Sequence, residues 1–61
     1  MTTEILSEEL RRKAFRALVI LQDEGCPVEE SRAMVAEQFS LDLRDIQMIE
    51  REGISKEWPP L

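Results

Sequence analysis

Three stretches of the chain carry apolar residues at helical spacing, and each is followed by a residue type that ends helices. In the first, Leu10, Ala14, Ala17, Leu18 and Leu21 recur with the period that lines side chains along one face of an α-helix. Phe15, Val19 and Ile20 widen that stripe, while Arg11, Arg12, Lys13 and Arg16 supply the polar side. Ser7 suits the N-cap, Glu8 and Glu9 favour the positive helix end, and Ile5 and Leu6 are placed as a hydrophobic staple. Gly25 reaches the left-handed conformation cheaply and closes the segment. The pattern predicts helix 1 over about 7–24.

Cys26-Pro27 breaks the chain, because proline disfavours helix in the residue before it yet fits a first helical turn. Helix 2 is expected over about 28–39, with Val28, Ser31, Val35, Ala36 and Phe39 on one side and Met34 beside them. Ser40-Leu41-Asp42 is the second break, and Asp42 is a good N-cap for helix 3 over about 42–52. Ile46 and Ile49 face inwards there. Gly53 is expected to stop the helix and Ile54 to make the apolar contact that often follows a glycine stop. The fold class is therefore all-α: a three-helix domain over 1–57, with a short extended tail over 58–61. The two prolines of Trp58-Pro59-Pro60-Leu61 favour a polyproline-like path.

Composition narrows the function. A chain of 61 residues supports one small domain, which buries only about 60% of its unfolded surface. Its single cysteine, Cys26, has no partner for an internal disulfide, and without histidine neither zinc nor any other metal site is expected. The chain has no tyrosine, glycine-rich phosphate loop or nucleophile motif, so neither an enzyme nor a cofactor is expected. No run approaches the roughly 18 apolar residues of a membrane span, and the acidic start lacks the positive flank of a signal peptide. A lone thiol without an export signal points to the cytoplasm. Thirteen acidic against eight basic residues give a formal charge of −5, which opposes generic affinity for nucleic acid but permits a local basic patch.

Residues 31–57, SRAMVAEQFSLDLRDIQMIEREGISKE, resemble the helix-turn-helix with which bacterial sigma factors, through their region 4, recognise the −35 promoter element. Val35, Phe39, Leu41, Ile46 and Ile49 occupy the buried positions of that motif. Glu50 after Ile49 matches its isoleucine–glutamate pair, and Ile54 stands where the family has a leucine. The chain departs from the pattern at Ser40, where the family has a turn glycine, and at Asp42, Leu43, Asp45 and Met48, where the start of the reading helix is usually richer in arginine and hydrogen-bonding residues.

The resemblance implies a transcription regulator, or a protein of another DNA transaction, acting with a partner or as a dimer. Arg44 and Gln47 would meet base edges, and Arg51 and Lys56 would meet phosphates. The alternative is a solvated face with local pairs such as Gln47–Arg51 and Glu52–Lys56. A second function is an acidic adaptor that binds another protein rather than DNA. Its surface would draw on Leu43, Met48, Phe15, Val19, Ile20, Trp58 and Leu61. Trp58 has its own alternative, folding back over helix 1 to close the core. A ubiquitin-associated-like bundle is a third reading, but that family's Met-Gly-Phe/Tyr loop is missing.

Overall fold

The computed structural model describes residues 7–60; the expected staple of Ile5 and Leu6, and Leu61, lie outside them. Three helices run in chain order: α1 (Glu8–Asp23), α2 (Val28–Phe39) and α3 (Leu43–Lys56). Each packs against both others. Among the described residues no strand forms, and no helix is long and apolar enough to cross a membrane.

The starts of the helices follow local chemistry. The Ser7 side chain accepts from the Leu10 amide at 3.1 Å. Proline precedes α2, whose first turn carries Glu29 and Glu30 against the positive helix end. At α3, the Asp45 carboxylate reaches back to accept from the Asp42 amide at 3.3 Å.

The ends share one device. At each, a residue of positive φ lets two successive amides turn back to carbonyls of the last helical turn. Gly25 and Cys26 donate to Gln22 and Leu21 at 3.1 and 3.0 Å. Ser40 and Leu41 donate to Glu37 and Ala36 at 3.3 and 2.8 Å, and Glu57 and Trp58 to Ile54 and Gly53 at 3.2 and 2.9 Å. Only Gly25 is a glycine. Ser40 (φ 57°) and Glu57 (φ 55°) hold the same geometry at a cost of about 1–2 kcal/mol each.

The core is Ala14, Phe15 and Leu18 from α1, Val35 and Ala36 from α2, Ile46 and Ile49 from α3, and Trp58 beyond it. Phe39 and Leu41 pack at its edge. Two expectations for the third helix fail together. Gly53 does not stop α3; it is buried inside it, facing the Phe15 ring so closely that an added Cβ would overlap ring carbons. The helix continues to Lys56, and Ile54, expected to make the apolar contact after the stop, is 63% exposed.

Trp58 takes that role. It is 2% exposed and meets Phe15 edge-on, with ring centroids 6.1 Å apart. Arg12 and Lys56 cover its ring at 5.3 and 5.7 Å. The expected separate tail therefore begins only after Trp58, and Pro59 and Pro60 form a turn rather than an extended path.

Candidate nucleic-acid interface

The exposed side of α3 follows from its buried side. Ile46, Ile49 and Gly53 fix the inward direction, and about 100° per residue carries Arg44, Gln47, Met48, Arg51 and Ser55 outward. All five are exposed. Among the described residues, Arg44, Gln47 and Arg51 make no hydrogen bond or ion pair. The local pair Gln47–Arg51 is thus not formed, whereas Lys56 does bond Glu52, at 2.9 Å.

The carboxylates of α3 are placed differently. Asp45 accepts from the Asp42 amide. Glu50 accepts from Arg32 of α2 at 2.8 Å and from Gln22 of α1 at 3.4 Å. Glu52 pairs with Arg11 of α1 at 2.9 Å and with Lys56 at 2.9 Å. The hydrogen bond from Lys56, together with Arg11, holds the Glu52 carboxyl below its usual value against a smaller opposing effect of burial. Glu50 and Glu52 thus have partners on the other helices, and Asp45 has the exposed Asp42 amide at the helix start; all three lie on the flanks rather than the outward ridge.

Lys56 does not join that ridge. Five residues beyond Arg51 it has rotated to the α1 flank, where Glu52 and the Trp58 ring hold it. Phe15 and Trp58 cannot present a surface to a partner, because each is 2% exposed and closes the core against the other. Val19 is half-buried against that core. Leu43, Met48 and Ile20 are exposed, at 54%, 52% and 41%. On α1, Arg11, Arg12 and Lys13 are paired with Glu52, Glu8 and Glu9 at 2.9, 3.0 and 3.9 Å, so most of the basic cluster is neutralised in place.

Sequence reasoning missed the polar clasp behind this face. Ser31 is fully buried; its hydroxyl donates to the Val28 carbonyl at 2.7 Å and accepts from Gln22 at 3.1 Å. Gln22 also reaches Glu50, so one chain of bonds ties all three helices. Gln22 lies one turn beyond Leu18, and Ser31 one turn before Val35; two polar residues at inward positions were the available signal. An open groove of about 520 Å³ runs beside the clasp, lined by Val28, Arg32, Gln47, Glu50, Arg51 and Ile54 among others. Among the described residues no group of acidic or cysteine side chains is arranged to hold a metal ion. No protein-family model matches the chain, and no curated protein or solved structure does.

Proposed function

We propose that the chain is a small helix-turn-helix protein that binds duplex DNA through the outward ridge of α3, in transcription regulation or another DNA transaction. One observation carries this reading: Glu50 and Glu52 are paired with cations of the other helices and Asp45 caps the helix start, while Arg44, Gln47 and Arg51 project together without such partners among the described residues. The net charge of −5 describes the whole chain, but a groove meets the local face. Arg44 and Gln47 are assigned to base edges and Arg51 to phosphate. The left-handed Ser40 also removes an objection to the sigma-like resemblance, since it has the backbone conformation that a turn glycine would supply. A face this small binds weakly alone, which favours a dimer or a larger assembly.

The exposed apolar pair Leu43 and Met48 supports a second reading, in which the same ridge meets a protein. Duplex binding measured across a salt series separates the two. Arg44→Ala and Arg51→Ala are expected to weaken binding by tenfold or so, with Arg51→Ala also flattening the salt slope and both variants melting within about 0.5 kcal/mol of the parent. Binding that ignores both substitutions and salt rejects the DNA reading.

A further inference from the structure

We infer that Met48 gives the α3 ridge a base preference by packing against the C5-methyl of a thymine in the major groove. The inference rests on the duplex-DNA reading above and adds the chemical identity of one base to it. Methionine is a side chain that a small core readily recruits, and Ile46 and Ile49 on the same helix are fully buried. Met48 is instead 52% exposed.

Its place on the helix is specific. Arg44, Met48 and Arg51 stand at positions i, i+4 and i+7, so Met48 lies mid-ridge between the two cations, with Gln47 beside it. Leu43, one residue before Arg44, falls off this line. The rise of about 1.5 Å per residue makes the ridge about 10 Å long, the span of about three base pairs.

The chemistry of the groove then selects the contact. Arginine and glutamine pair with the polar edges of guanine and adenine, and the one apolar group displayed in the major groove is the thymine methyl. An unbranched, polarisable thioether held between two cations fits that methyl without demanding a hydrogen bond. On the other side Met48 borders a groove shared with Arg11, Asp45, Ile49 and Glu52, in which Arg11 and Glu52 are paired with each other at 2.9 Å.

Uracil differs from thymine only by this methyl, which makes the test direct. Duplexes of about two helical turns are selected for binding from a random-sequence pool, and the winners are remade with uracil in place of thymine. The full chain is expected to bind the uracil duplexes about fourfold more weakly, the worth of one buried methyl, and Met48→Ala to bind both forms alike. Equal affinity of the unaltered chain for thymine and uracil duplexes, with binding still weakened by Arg51→Ala, overturns the role of Met48 and leaves the DNA reading standing. No binding to any duplex at low salt overturns both, and leaves the ridge to a protein partner.

Discussion

The two sides of α3 use the same fourteen residues to opposite ends. On the inner side, Gly53 faces the Phe15 ring, Ile46 and Ile49 belong to the core with Phe15 and Trp58, and Glu50 and Glu52 on the flanks are tied to α1 and α2. On the outer side, Arg44, Gln47, Met48 and Arg51 touch nothing that competes for them among the described residues. The difference teaches how a small acidic chain can keep a cationic ridge. Glu50 and Glu52 of α3 serve the packing of the helix, so the outer side of α3 is more cationic than the net charge suggests.

The sharpest way to break that contrast is to remove the aromatic lid. Trp58→Ala deletes a buried side chain and strands the Phe15 edge, at a cost of about 3–5 kcal/mol. A chain of this length has only about 3–9 kcal/mol of total stability, so thermal melting by circular dichroism should show a variant largely unfolded at 37 °C. Melting within a few degrees of the parent would place Trp58 outside the core.

Gly53→Ala probes the inner side more finely. Alanine favours helix by about 1 kcal/mol, yet its methyl must displace the Phe15 ring, and overpacking costs about 1–3 kcal/mol or more. A fall in melting temperature is expected, and a rise would mean that the ring yields freely.

The turn that aims the outer side offers a change of opposite sign. Ser40→Gly relieves a left-handed serine, and the added freedom of the unfolded glycine offsets part of the gain. The net is a stabilisation of up to about 1 kcal/mol, read from the denaturation midpoint; destabilisation would show that the serine side chain matters to the turn.

The smallest expected effect is the pH dependence of the α1–α3 tie. Lys56 and Arg11 depress the Glu52 pKa, so its stabilisation is present above the unfolded value near 4.5 and is lost as pH falls through the lower folded value. Glu52→Gln should therefore be less stable than the parent at neutral pH, and the two should converge as the pH falls through the lowered folded value. A stability gap unchanged from pH 7 to pH 3 would exclude this ion pair as its source.

Much of the architecture is written in local pattern. The three apolar stripes, the caps at Ser7 and Asp42 and the stop at Gly25 are properties of neighbouring residues, and they foretell three helices. The outward positions of Arg44, Gln47 and Arg51 follow from the same period once Ile46 and Ile49 are taken as inward.

Tertiary structure decided what local pattern cannot. Gly53 reads as a stop in sequence, but Phe15, thirty-eight residues earlier, makes it a contact surface within the helix. Trp58 reads as lid or as tail until the same ring meets it. Lys56 reads as a phosphate ligand until Glu52 and the indole claim it, and the partners of Glu50, Gln22 and Arg32, come from two other helices. Helix periodicity is set by bonds within a few residues, whereas which charge is neutralised and which is left free depends on distances between segments that meet only when the chain folds.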